Sequence, residues 1–487
     1  MEQQNAQHYL NTVLQKLERV ANRSFCRGDI NLSMTALSVW TDLLYCSNTC
    51  YTSKAPELLL EQLSQTLPEL GEIHPVGGRI LFYDGFGLNN RGLVQIYLKA
   101  LVKLGTVIYV TDRYHQNDLP DVLKILETGG GKALWLIENK LNRRANELYA
   151  LVKQWQPECA FLYTAPEDVS GLAAFRRWAG KTHRYQINLT DHAYWLGLDC
   201  FDTCIEFRDY GASISREGRR IPEDKLVKLP FYPAIDYNRS FEGFPFTRKP
   251  EHKVVFSGGA LYKTMGGENR YYQLVDYILR TFPESVFWYA GTGDASKIKE
   301  LEQAYPDRVY FTPERKDLFQ VMENCFLYLS TYPLCGGLMF QYAASAGRIP
   351  VTLRYDDVSD DFLLDQENLG IQFQTMEQVK QELCRLFREE AYLEEKQQRV
   401  KNAVLNQEDF ESALASLVRT GTTGYTISFK TPTTDIFQGK KEPALTKTQL
   451  AAYVATKRYA PVLPYVPFVY FRGIMARVLR KLEGIWK

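Results

Sequence analysis

Apolar residues recur at three- and four-residue steps near the start of the chain (Leu10, Val13, Leu14, Leu17, Val20) and again at Leu58, Leu59, Leu63 and Leu67. That spacing predicts helices through residues 1–70, with a loop around Cys46 to Ser53. Pro75, Gly77 and Gly78 are expected to end the helical region. From Arg79 the pattern changes to short, continuously apolar runs separated by amphipathic segments of helical length. Arg79–Asp84, Thr106–Thr111, Ala133–Ile137, Ala160–Thr164 and Arg184–Leu189 read as buried strands. Between them, helices are expected over Leu93–Leu104, near Asp121–Leu126, over Arg143–Trp155 and near Val169–Trp178.

A second series begins at Lys253, after the connector FEGFPFTRKP. VVFSGG and SVFWYAGTG each read as a strand running into a glycine turn, and RVYFTPE, FLYLSTYP and IPVTL complete five strands. Helices Asn269–Phe282, Ala295–Ala304, Lys316–Asn324 and one through Tyr342–Ala346 lie between them. Strands joined by helical crossovers form parallel, doubly wound sheets, so the fold class is α/β with two tandem Rossmann-like domains. The expected division is a helical extension (1–70), a first Rossmann-like domain (71–245), a second (246–420), and a linker with a basic tail (421–487). Residues 420–444, rich in Thr, Gly and Pro, suit a linker or an extended strap.

Composition adds limits. With 24% charged and 45% hydrophobic residues, the 487-residue chain is ordinary globular material. Fifty-eight Lys+Arg against 57 Asp+Glu argue against nucleic acid as a partner. The charge is uneven, however: from Lys440 onward there are ten Lys/Arg and two acids. In residues 459–487, Ile474, Val478, Leu482 and Ile485 share one helical face, while Arg477, Arg480, Lys481 and Lys487 lie largely off it. Such a segment fits an anionic membrane surface, each basic residue contributing about 1 kcal/mol; it equally fits a strap packed back on the protein. Nine scattered cysteines without zinc spacing read as reduced thiols, and no metal site is expected. The N-terminal segment lacks the features of a signal peptide, and no uncharged apolar run reaches spanning length. The expected location is cytoplasmic, either free or peripheral on the inner face of the cell membrane.

The strand-end loops carry the candidate chemistry. Gly258 and Gly259 allow a close backbone approach and Lys263 brings a cation, although a tight turn with a solvent-facing lysine fits as well. Gly291 and Gly293 follow the next strand, and Glu314 and Arg315 the one after. Gly336 and Gly337 open a helix whose free N–H groups and dipole suit a diphosphate. Gln341, one turn further, is placed to meet a ribose hydroxyl or to face solvent.

The order SGG…K, YAGTG, TPERxDL, then STYPxxGG…AxxAGxxPV resembles the nucleotide-sugar domain of GT-B fold glycosyltransferases of the bacterial surface-glycan type. The resemblance covers about residues 79–415 and is strongest over 254–353. It implies a GT-B fold, a nucleotide-sugar donor (a UDP-sugar favoured), a glycan or lipid-linked glycan acceptor, and neither cofactor nor metal. Diphosphate contacts would come from Lys263 and the Gly336–Gly337 helix start, and base contacts from near Glu314 and Arg315. Many retaining members carry two glutamates eight positions apart at the last helix start; this chain has Pro333 and Gln341 there.

In the first domain, Gly85, Gly87, Asn90, Arg91 and Gly92 resemble the family's glycine-rich loop for acceptor and phosphate. In TDHAYWLG, His192 suits removal of an acceptor hydroxyl proton, with Asp191 as the carboxylate that fixes its tautomer. Arg216, Arg219 and Arg220 read as a basic loop, either solvated or facing a phosphate. The favoured function is therefore glycosyl transfer. A non-catalytic GT-B partner and a sugar-nucleotide epimerase are the alternatives.

Overall fold

The computed structural model describes residues 2–89, 92–112, 119–354 and 361–430, together with the isolated positions 475 and 478. Within these the chain forms two compact units, residues 2–229 with 413–430, and residues 230–412. Asn90, Arg91 and nearly all of the basic tail lie outside the described residues.

The first unit is built on a seven-stranded parallel sheet. Its strands are β1 (Val76–Asp84), β2 (Thr106–Asp112), β3 (Lys132–Leu136), β4 (Pro157–Tyr163), β5 (His183–Ile187), β6 (Thr203–Glu206) and β7 (Leu226–Lys228). The order is β3-β2-β1-β4-β5-β6-β7, so the winding reverses between β1 and β4. Central strands covered on both faces need continuous apolar runs, and Ile80–Tyr83 and Val107–Val110 are accordingly buried. Five strands were expected. The two additional ones, β6 and β7, are four and three residues long, too short to show a period. Gly77 and Gly78 lie inside β1, and the third helix has already ended at Gln65; the close approach here requires glycine at Gly105, where a Cβ would meet the Gly78 carbonyl at 2.1 Å.

Helices Glu2–Cys26, Ile30–Ser47 and Lys54–Gln65 are continuous with this unit's core. Leu17, Leu37, Leu43, Leu60 and Leu63 are fully buried in one cluster with Leu81, Leu148 and Phe175. Each buried leucine contributes roughly 2 kcal/mol. Side chains of these helices also complete other elements: Asn31 accepts from the Leu141 N–H at 2.9 Å, and Ser38 donates to the Glu167 carbonyl. Glu57 accepts from the Gly197 N–H at 2.9 Å and approaches that of Leu198, while its Oε2 is buried without a protein partner. Residues 423–430 form a strap on the far side of the sheet. Thr423 donates to the Lys228 carbonyl, the Ser428 N–H to Asp209, and Ile427 and Phe429 cover Trp195 and Phe201.

The second unit repeats the design with β8 (Lys253–Ala260), β9 (Ser285–Thr292), β10 (Val309–Thr312), β11 (Leu327–Leu329), β12 (Pro350–Leu353) and β13 (Gln372–Phe373). Their order is β10-β9-β8-β11-β12-β13, all parallel, again with a reversal beside the first strand of the series. The unexpected β13 has only two residues. A further correction concerns the glycines. Gly258, Gly259 and Gly291 belong to strands β8 and β9, where Gly259 pairs with Gly291, rather than to turns after them. A Cβ at Gly291 would stand 1.9 Å from the Gly259 carbonyl oxygen, so close strand pairing alone requires glycine there.

Two measurements test these packing assignments. Gly291→Ala is expected to lower unfolding stability by about 1–3 kcal/mol with no ligand present, read by urea denaturation; an unchanged midpoint would return Gly291 to a purely ligand-facing role. For Glu57, burial raises the carboxyl pKa to about 7 against the lowering effect of the Gly197 and Leu198 N–H groups. The folded state thus keeps a proton that the unfolded state releases, so stability falls as pH rises from about 4.5 to 7. Glu57→Gln is expected to remove roughly 1–3 kcal/mol of that decline between pH 5 and pH 8. Parallel slopes for the two proteins would refute the assignment.

Candidate functional site

In open parallel sheets, ligands bind outside the carboxyl ends of the strands where the winding reverses. In the second unit this point lies between β8 and β11. β8 leaves the sheet through Gly259 at φ 118°, and β9 leaves through Gly293 at the same φ, a left-handed region open to glycine. Residues Leu261–Thr264 then make one tight helical turn that carries Lys263. β11 runs into the segment before helix Gly337–Ser345, with Gly336 as its N-cap and no side chain capping it. The two loops are tied where the Leu334 N–H donates to the Lys263 carbonyl at 3.3 Å. Lys263 Nζ lies 3.7 Å from where a Cβ on Gly336 would stand. A cation and an uncapped helix N-terminus thus converge at the reversal point, in a form suited to a phosphate or diphosphate.

Gly337 also has a packing role, since a Cβ there would meet the Phe362 ring at 2.5 Å. Three other expected contacts have different roles. Gln341 is buried, and its Nε2 donates to the Phe231 carbonyl at 2.7 Å and the Phe362 carbonyl at 3.1 Å. Through this amide nitrogen it is an internal strut and does not face solvent, while its Oε1 is buried without a hydrogen-bond partner among the described residues. Arg315 donates through Nε and Nη2 to Asp317 at 2.7 and 2.6 Å, and through Nη1 to the Gly243 carbonyl. Its charge is spent on the connector. Burial would raise the Asp317 carboxyl, but Arg315 and the Glu242 N–H outweigh this and hold it below the usual carboxylate range. Glu314 is exposed beside this pair.

In the first unit the reversal lies between β1 and β4. Gly85 is required there, because a Cβ would meet Thr164 Oγ1 at 2.2 Å. The following loop is shaped by Asp84, which accepts from the Phe86 and Gly87 N–H groups at 2.9 and 3.0 Å and from the Tyr109 hydroxyl. Gly87 takes φ 59°, and Gly92 begins helix Gly92–Leu101. Asp168 joins the opposite side, accepting from the Tyr83 and Thr164 hydroxyls, both at 2.6 Å. Sequence reasoning missed both aspartates; the strand-end position of Asp84 and the helix-start position of Asp168 were the available signals.

Thr190–Gly197 follows β5 as a buried turn in which His192 is the one exposed side chain. The ring is half exposed, at 52%, with Nδ1 3.4 Å from Asp191 Oδ1. Asp191 itself does not reach solvent. It accepts from Arg208 Nε at 2.6 Å and Nη2 at 3.0 Å. Burial pushes its pKa up, but Arg208 and His192 together hold the carboxyl well below the usual range. Asp191 is therefore a fixed anion that can orient the imidazole but does not exchange protons with substrate. The basic loop departs from expectation only at Arg219, which is fully buried; Arg216 pairs with Glu217 and Glu223 at the surface and Arg220 is exposed.

Among the described residues no cluster of three or more His, Cys, Asp or Glu side chains could hold a metal, and no helix is long and apolar enough to cross a membrane. All nine cysteines are free. No protein-family model and no curated protein sequence matches the chain. Among solved structures it is similar to a variant of the O-GlcNAc transferase of Thermobaculum terrenum, with TM-score 0.52 and 16% identity over 85% of this chain and 84% of that one. It also aligns with the UDP-GlcNAc 2-epimerase of Neisseria meningitidis bound to UDP-GlcNAc, at TM-score 0.48 and 12% identity over 69% of this chain and 98% of that one. Identities this low speak to fold alone, and the second score is too low to carry weight. Two parallel sheets wound in the same order, each with its reversal beside its first strand, together with the likeness to the transferase, give this chain the GT-B fold.

Proposed function

We propose that the protein is a metal-independent glycosyltransferase that takes a nucleotide sugar, with a UDP-sugar favoured, and transfers the sugar to a hydroxyl of a glycan acceptor. The observation that carries this reading is the convergence of Lys263 with the uncapped Gly336–Gly337 helix start at the β8/β11 reversal. In the reaction, the acceptor oxygen bonds to the anomeric carbon as that carbon's bond to the diphosphate oxygen breaks. The diphosphate leaves with the electron pair, and Lys263 and the helix N–H groups neutralise its charge. His192 takes the hydroxyl proton as general base, with Asp191 fixing its orientation. The basic C-terminal segment motivates a lipid-linked acceptor, a role in cell-surface polysaccharide assembly, and peripheral association with the inner face of the membrane.

A second reading, a non-catalytic GT-B partner, is favoured by one specific observation. Gln341 and Arg315, expected at ribose and base, are both consumed by internal contacts. Calorimetry without metal against UDP-, GDP-, CMP- and dTDP-sugars separates the two. The transferase reading expects one-site binding to one nucleotide class, weakened at least tenfold in Lys263→Ala. His192→Ala should bind the donor normally while turnover falls about 10²–10⁴-fold. A folded protein that binds no member of the panel would favour the non-catalytic partner. Deletion of residues 459–487 is expected to abolish partition onto anionic phospholipid vesicles; unchanged partition would remove the membrane clause.

A further inference from the structure

The run Thr190–Gly197 presents one exposed side chain, His192, from a turn whose backbone is held on every side. Arg219 Nη2 donates to the carbonyls of Thr190, Asp191 and Ala193 at 3.1, 3.0 and 2.6 Å. These three carbonyls bracket His192. The carbonyl of His192 itself accepts from Asn48 Nδ2 at 3.3 Å, and the Gly197 N–H donates to Glu57. Arg219 also donates to Ser215 at 3.3 Å and lies between the rings of Tyr51 and Trp195, at 5.2 and 5.0 Å from their centres. Burying a guanidinium is costly. Here the three carbonyls and the nearby Glu206 and Asp191 counter part of that cost, although burial still lowers the Arg219 pKa from its usual value.

We infer that Arg219 is the positioning residue for His192, and that the N-terminal helices take part in that positioning through Asn48. The inference rests on the reading of His192 as the group that receives the acceptor's proton. Arg219 touches no reacting atom; it sets the direction of the imidazole by fixing the peptide groups on both sides of it. A lysine carries one ammonium on a shorter stem in place of the planar fork that spans both Ser215 and the three carbonyls. The helical extension is accordingly part of the functional machinery of the first unit.

The test uses the full chain labelled with ¹³C-histidine, in Arg219→Lys and Asn48→Gly. Asn48 sits at φ 47°, where glycine is at ease, so its replacement removes the side-chain bond with little backbone strain. The chain has six histidines, and the His192 ring signal is the one lost in His192→Ala. The expected result is a displaced or broadened His192 signal with the other five unchanged. On the UDP-sugar identified by calorimetry, kcat should fall at least tenfold with KM for the donor unchanged. A folded variant with a His192 signal superimposable on that of the parent protein would overturn the inference. If Arg219→Lys does not fold, Asn48→Gly decides by the same criterion. If no nucleotide sugar of the panel binds the parent protein, the transferase reading fails, while the ring signal still tests the positioning.

Discussion

At each winding reversal two parallel strand ends must come together closely enough to pair and then part to leave a crevice, and the rest of each unit is arranged around that approach. In the second unit the close approach lies one strand from the β8/β11 reversal, between β8 and β9, and is met by omission of side chains: Gly259 and Gly291 face each other, and the chain takes positive φ at Gly259 and Gly293. In the first unit Gly85 lies against Thr164, and Asp84 at the end of β1 and Asp168 at the following helix start hold the diverging loops through N–H and hydroxyl donors. The crevice is therefore a consequence of parallel pairing. What differs between the units is the chemistry brought to it.

That difference is one of charge placement. Around the His192 turn, two arginines and two carboxylates are buried together, Arg208 with Asp191 and Arg219 beside Glu206, so their charges are spent on each other and on backbone carbonyls. Such a network is costly to desolvate, and Arg219 Nε and Glu206 Oε2 remain buried in it without a hydrogen-bond partner among the described residues. Lys263 in the second unit is partly exposed, and next to it stand helix N–H groups without a side-chain cap. An anion is the natural partner of that pair. The first unit thus holds a loop still, and the second leaves positive charge free to bind.

The three N-terminal helices show how an apparent appendage becomes structural. Their leucines belong to the same core as β1, and their polar side chains cap helices of the Rossmann-like layer and bond the turn that carries His192. The strap at 423–430 serves the β7 edge, where Thr423 bonds Lys228 and Ile427 and Phe429 cover Trp195 and Phe201.

Sequence alone determined the α/β class, the repeated strand–helix alternation and most strand positions. These depend on local periodicity and on glycine, whose effects extend only a few residues. It did not determine the edge strands Thr203–Glu206, Leu226–Lys228 and Gln372–Phe373, which are shorter than any detectable period. Nor did it determine the fate of the polar side chains. Gln341, Arg315 and Arg219 carry the same groups whether they meet a ligand, solvent or a backbone carbonyl. Only the tertiary structure decides, because the partners, Phe231 and Phe362 for Gln341 and the turn at 190–193 for Arg219, are distant in sequence and adjacent only after folding.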